Sequence, residues 1–391
     1  MSADGNRSDD EYAVMLREIA LQPNFVRTAI DGMVERARAS VGAHPGRRVT
    51  GGFIIGCGDS FAAGMAARGY VMAMTRRWLE PLEALEFSRY LVSDLPPASY
   101  VIGVSNSGTV ARTIEGVRLA RERDAWTFAV TVGSTNALAR TAETLVEIDT
   151  VPNIKQRADG TKMVTPGTLT YTASLVGICA GAIALGEQLG ELSAHGVSDA
   201  LAALHRVAEW MAEADAVVAA LAPELAATFT RDRTTVILGG GPNVATAYFA
   251  AAKWYEAMQW PAHHAQIEEW AHEQYFFTGA QTDTIVILPP GGSHERGLEQ
   301  LRAAREMGSR TIAIAAGDDA AASAAADVVI PMPVGIPESL TPFVYKLPFE
   351  YLAAHIAAQH RIDFFGFNNP QRQAVNFRQI FDSAQTPSNA R

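Results

Sequence analysis

The run Val101-Ile-Gly-Val-Ser105-Asn106-Ser107-Gly108-Thr109 sets hydroxyls, an amide and a glycine between an apolar segment and a helical pattern that begins at Ala111. Backbone N–H groups in the first turn of a helix have no partner inside it and sit at the positive end of its dipole, so this arrangement is a socket for an anion such as phosphate. Ser105, Ser107 and Thr109 add hydroxyl donors, Asn106 adds an amide, and Gly108 lets the main chain curl closely around the oxygens. A plain serine N-cap on a strand-to-helix loop uses the same residue types. Gly56-Cys57-Gly58-Asp59-Ser60 follows another β-branched run. If the two strands are neighbours, Ser60 and Ser105 converge on one anion at their carboxyl ends; otherwise Ser60 is a simple helix cap. Gly56 and Gly58 also open a dinucleotide fingerprint, but Phe61 stands where its third glycine belongs.

A second cluster suits proton transfer. Lys253-Trp-Tyr-Glu256 ends an Ala-rich, aromatic helical pattern, and His263-His264, Glu268-Glu269 and His272-Glu273 follow it. Abstracting a proton beside a carbonyl takes a base for the carbon-bound proton and an acid for the neighbouring oxygen or nitrogen; carboxylate and imidazole supply both. Lys253 and Glu256, three residues apart, equally suit an ion pair on one helix face. His263 and His264 fall in an expected strand and point to opposite faces, so at most one faces a pocket. No third ligand stands at metal-binding spacing from them, and neither a metal nor a cofactor is expected.

The elements that must position these groups occur twice. Gly52-Phe-Ile-Ile-Gly56-Cys-Gly58 and Thr235-Val-Ile-Leu-Gly239-Gly-Gly241 are apolar runs stopped by glycines, each followed by an Ala-rich helix, Phe61 to Thr75 and Val244 to Met258. The next strands, Tyr100 to Ser105 and Thr284 to Leu288, keep the same offset of about 184 residues. Further strands are expected at Thr127 to Val132, Thr144 to Ile148, Thr311 to Ala315 and Asp327 to Ile330, with helices at Thr113 to Arg123 and Glu295 to Met307. This rhythm predicts an α/β fold, a parallel sheet with helices on both faces in each half. Thr170 to Gly186 closes the first half, and Asp199 to Ala227 links it to the second. Pro289 and Pro290 remove two donors from the second copy of the loop, so one phosphate site per chain is expected.

The chain has 391 residues, 48% hydrophobic and 19% charged, which suits two domains of about 150 to 200 residues each. A net charge of −10 argues against nucleic-acid binding, which draws on a basic surface. Cys57 and Cys179 offer no disulfide framework, as in a reducing compartment. Met1 to Glu11 is polar and acidic, unlike a secretion signal, and is expected to be a disordered lead. No run approaches the ~18 apolar residues of a membrane span. A cytoplasmic enzyme without membrane partners is the expectation.

At these residues the chain resembles the double sugar isomerase (SIS) family, which includes the isomerase half of glucosamine-6-phosphate synthase and the fructosamine-6-phosphate deglycases. The resemblance runs from about Gly52 to His360. It implies two tandem flavodoxin-like SIS domains at 47–190 and 231–363, with a lead and helix at 1–46, linking helices at 191–230 and a tail at 364–391. Gly58-Asp-Ser60 resembles the family's first phosphate loop, and Ser105-Asn106-Ser107-Gly108 its serine-rich second loop. Glu86-Phe87 matches an acid-aromatic pair. Glu256 stands where the family has its proton-moving glutamate, and His272, in Glu269-Trp-Ala-His272, where it has a histidine. Further substrate contacts are expected from Gly58, Lys253, His263, Glu269 and Arg372. The family also implies a homodimer with composite sites, His272 arriving from the partner.

The departures narrow the expected reaction. About 50 residues precede the first sheet, too few for a glutaminase domain, so no glutaminase activity is expected. Val110 replaces a threonine of the second loop, with Thr109 as its substitute. Glu273-Gln274 replaces a Gly-Pro after His272, adding a charge near the expected acid. The tail segment Gln371 to Arg378 has no lysine for a Schiff base; either Arg372 or Arg378 closes over the ligand or the tail lies on the surface. The expectation is an isomerase of sugar or amino-sugar phosphates, or a deglycase or deaminase of a 6-phosphorylated ketosamine. The alternative is a non-catalytic phosphosugar-binding regulator.

Overall fold

In the computed structural model, residues 3–157 and 160–385 are described. Five strands build a first sheet: β1 (Gly51–Gly56), β2 (Trp78–Glu83), β3 (Ser99–Val104), β4 (Trp126–Val132) and β5 (Thr144–Ile148). Five more build a second: β6 (Thr234–Gly239), β7 (Ala262–Gln266), β8 (Thr282–Leu288), β9 (Arg310–Ala316) and β10 (Val328–Met332). The sheet orders are β2-β1-β3-β4-β5 and β10-β9-β8-β6-β7, the same order in both copies, and every pairing is parallel. Every residue of β3 and of β8 is buried. Strands covered on both faces by helices read as continuous apolar runs, as β3 does from Tyr100 and β8 from Ile285, while Asp283 is buried against Arg233 and Arg310.

The edge strands carry the weaker sequence signal. In β2, Trp-Leu-Glu-Pro-Leu-Glu places Pro81 and two glutamates in a strand, which only an edge position tolerates. No strand was legible there from sequence. The chain divides into two compact units, one of residues 1–23, 153–168 and 209–369, the other of 24–152, 169–208 and 370–391.

Two expectations need correction. The expected disordered lead lies largely within the helix Ala3–Gly42, which carries Pro23 inside it. Tyr12, Met15 and Ile19 are buried, and the Glu11 carboxylate lies 3.0 Å from Arg157, which holds the segment in place. Secondly, the helix Leu169–Gln188 is long and apolar enough to cross a membrane by length and composition alone, although sequence reading had found no such run. The protein itself buries 89% of its apolar window, as expected of a core helix.

Candidate functional site

In the first sheet, β1 pairs with β3 as far as Ile55 opposite Gly103, so the loops after Gly56 and Val104 leave the sheet side by side. The strand order reverses between them, and such a switch point is where open parallel sheets bind ligands. Gly56 is demanded by close approach: a Cβ there would lie 2.8 Å from the backbone carbon of Ser60. Gly58, at φ 54°, precedes the helix Asp59–Thr75, and no atom comes within 4 Å of the place its Cβ would take. Gly58 is the N-cap and no side chain caps the helix, so Ser60 is not the plain cap it resembled in sequence. Its side chain is half-buried at the loop.

The serine-rich loop divides its hydroxyls between two tasks. Ser105 is 1% exposed, and its Oγ accepts from the Gly108 N–H at 3.2 Å, so this hydroxyl shapes the loop from within. Ser107 and Thr109 are exposed, with their hydroxyls 2.8 Å apart. The Asn106 carbonyl accepts from the Val132 N–H at 3.1 Å, tying the loop to the end of β4. The following helix, Ala111–Arg121, has Val110 as N-cap and no side-chain cap, so its first turn is not closed by a neighbouring serine.

Sequence reading missed Asn136. Its Oδ1 caps the helix Ala137–Thr141 through the Ala139 N–H, and its Nδ2 donates to Thr131 Oγ1 at 3.0 Å and to the Val132 carbonyl at 2.9 Å. A Cβ on Gly108 would lie 2.0 Å from Asn136 Oδ1, and Gly108 has φ 65°. The available signal was Ser134-Thr135-Asn136 directly after an apolar strand. Gly108→Ala is therefore expected to lower stability by about 1 to 3 kcal/mol in urea titrations, through left-handed strain and displacement of Asn136. It should also weaken phosphate-ester binding at least tenfold.

The tail reaches this loop's helix at Ser383 to Gln385. Arg112 Nη2 donates to Ser383 Oγ at 3.2 Å and to the Ala384 carbonyl, and Gln385 Nε2 donates to the Ala111 carbonyl at 3.3 Å. Arg372 and Arg378 lie exposed on the helix Pro370–Phe381, which buries no residue. Arg112 and Arg89 also flank Glu115, which is fully buried, with Arg89 at 2.8 Å. Glu86 is exposed, whereas Phe87 is buried against Phe53.

In the second unit the helix Asn243–Met258 carries Lys253 and Glu256. The Lys253 side chain is fully buried, and its Nζ lies 2.6 Å from Glu256 Oε2 and 4.6 Å from the centre of the Phe249 ring. Thus the helix-face ion pair foreseen in sequence does form. Glu256 is 27% exposed, which leaves the outer part of a charge-compensated carboxylate accessible while Lys253 stays beneath it. His263 and His264 sit on edge strand β7 against different neighbours, Phe277 and Tyr248, as alternate faces require. Burial, and secondarily the neighbouring His263, lowers the His264 pKa.

His272 follows a short helical turn after β7, 66% exposed, with Nε2 3.6 Å from Glu268 Oε1. Glu268 in turn is held by Arg296 Nε at 2.6 Å. The carboxylate beside the imidazole is therefore Glu268, while Glu273 accepts from Gln274 at 2.9 Å. Glu269 is exposed in the same turn. Among the described residues, no three His, Cys, Asp or Glu are grouped to hold a metal ion.

Lys346 and Glu350, four residues apart, have the spacing of a helix-face ion pair, a signal that sequence reading passed over. Both are fully buried, with Lys346 Nζ 2.9 Å from Glu350 Oε1, and Gln22 joins both, donating to Glu350 at 2.7 Å and accepting from Lys346. Burial pushes the Lys346 pKa down and that of Glu350 up; their mutual attraction works against both shifts.

Residues 52–177 match the model of the SIS domain. The chain is 27% identical over 353 residues to a glutamine-fructose-6-phosphate aminotransferase (isomerizing) of Gloeobacter violaceus, covering 89% of this chain and 56% of that protein. It therefore spans little more than half the length of that relative. Among solved structures, the C-terminal domain of glucosamine-fructose-6-phosphate aminotransferase from Francisella tularensis superposes with a TM-score of 0.75 at 18% identity, over 88% of this chain and 94% of that one. Tagatose-6-phosphate ketose/aldose isomerase from Escherichia coli does so with a TM-score of 0.70 at 16% identity, over 96% of each. Residues 52–177 thus match a SIS domain, and the two parallel sheets in one shared order have the architecture of a tandem pair of SIS α/β domains.

Proposed function

We propose that this chain is a phosphosugar-processing enzyme that moves a proton between adjacent carbons of a sugar or amino-sugar phosphate. The observation that carries this reading is the open cradle at the switch point of the first sheet, where uncapped helix starts meet the exposed hydroxyls of Ser107 and Thr109. The phosphate accepts from these hydroxyls, from Ser60 and from the loop N–H groups; Ser105, Asn106 and Asn136 hold the loop in shape. Glu256 takes the proton from one carbon and returns it to its neighbour. His272 gives or takes the proton on the adjacent oxygen or nitrogen, in a homodimer from the partner subunit. The same intermediate leads to an isomerised sugar, or to loss of an amine where the substrate is a ketosamine.

The test is exchange of carbon-bound hydrogen in deuterated water, followed by NMR, across 6-phosphorylated hexoses, hexosamines and fructosamines. Deuterium is expected at C1 or C2 of at least one of them, and Ser107→Ala/Thr109→Ala is expected to weaken that substrate's binding at least tenfold, since hydrogen bonds to a charged group contribute about 1.5 to 3 kcal/mol each. Micromolar binding with no exchange anywhere in the panel would instead make the chain a phosphosugar-responsive regulator.

A further inference from the structure

The repeat gives the second sheet a switch point of its own, between β6 and β8, with glycine loops at 239–241 and 291–292. Both adjoining helices, Asn243–Met258 and His294–Glu306, lack a side-chain cap at their start. Gly241 repeats Gly58 down to its backbone, φ 54° in each. Their surroundings differ. The space beside Gly58 is open, whereas Glu338 Oε1 lies 3.2 Å from the Cβ position of Gly241. A Cβ on Gly291, the counterpart of Ser107, would overlap the same carboxylate, 2.4 Å from Oε1 and 2.6 Å from Oε2. The Gly292 N–H donates to Glu338 Oε2 at 3.4 Å.

Glu338 is held there by a buried chain of hydrogen bonds. Its carbonyl accepts from Thr341 Oγ1 at 2.7 Å, Thr341 Oγ1 accepts from Asn243 Nδ2 at 2.8 Å, and Asn243 Oδ1 accepts from Thr246 Oγ1 at 2.9 Å. Thr341, Asn243 and Thr246 are all fully buried. The residue that delivers the carboxylate is thus fastened to the loop that receives it. Peptide N–H groups at two helix starts favour negative charge, and a carboxylate satisfies them as a phosphate does.

We propose that Glu338 is the built-in anion of the second cradle: its carboxylate takes the place that phosphate takes in the first and closes the second copy to phosphorylated ligands. Only the identity of the first cradle's ligand rests on the function proposed above. The prolines at 289 and 290 thin the donors of this loop, and the internal carboxylate engages a donor that remains.

The experiment compares the whole chain with Glu338→Ala and Glu338→Ser, each verified as folded by circular dichroism, with inorganic phosphate as probe in thermal unfolding and tungstate in crystals. Both variants are expected to melt lower than the parent in chloride buffer. Saturating phosphate should raise their melting temperature by about 2 to 4 °C more than it raises the parent's. Tungstate should then appear at Gly291-Gly292 in the variants alone. The proposal is overturned if folded variants respond to phosphate no more than the parent and crystals show no anion at that loop. Repeating the titration with Ser107→Ala/Thr109→Ala added separates the two readings: the increment from Glu338 removal persists in that background whether or not the first cradle binds phosphate.

Discussion

Glu256→Gln is expected to lower the rate of carbon-bound deuterium exchange by about 10² to 10⁴, the usual contribution of a positioned general base, and to leave affinity for the sugar phosphate within a few fold. The amide keeps the volume of the carboxylate, and its oxygen still accepts from Lys253 Nζ, now 2.6 Å from Oε2. The serine-rich loop is untouched, whereas the buried Lys253 loses a countercharge, so folding of the variant is verified by circular dichroism. An amide oxygen is too weak a base to take the proton, so the loss falls on kcat. A variant that exchanges at the parental rate on the substrate found by the panel removes Glu256 from the reaction.

Lys346→Ala is expected to destabilise its unit by about 3 to 5 kcal/mol, since it strands the Glu350 carboxylate in a site with no exposure to water. The Lys346 attraction that opposes desolvation in the parent is gone, and the carboxyl keeps only the amide of Gln22 and the weaker pull of the Lys253 charge. Replacing the three groups together, as Lys346→Met/Glu350→Leu/Gln22→Leu, should recover most of that loss, because apolar side chains of similar volume carry no desolvation cost. Urea unfolding of the single and triple variants measures the difference, and their non-additivity is the signature of one coupled group. A single-variant loss below about 1 kcal/mol would show that water or another partner already compensates Glu350.

Sequence made the interior strands of both sheets legible because burial on both faces leaves apolar runs, as from Tyr100 in β3 and from Ile285 in β8. It failed at β2, where edge placement permits Pro81 and glutamates within the strand. Residue type located the serine-rich loop but not the direction of each hydroxyl: Ser105 and Ser107 are alike in sequence, yet one turns inward and the other outward. Asn136 escaped notice since a capping asparagine resembles any turn residue until its contact with Gly108 is seen. The spacing of Lys346 and Glu350 was a local signal, but their burial and the part of Gln22 were beyond reach, because contacts across 324 and 328 positions leave no local pattern.

That long reach also separates synthesis from assembly. Residues 1–23 belong to the unit that contains residues 209–369, and the Tyr12 hydroxyl donates to the carbonyl of Ile362, 350 positions away. Tyr12 therefore waits for residues 362 to 364 to be synthesised before its hydroxyl and ring find these partners, and closing so large a loop is slow. This half of the protein takes its final form only once both distant segments have been made.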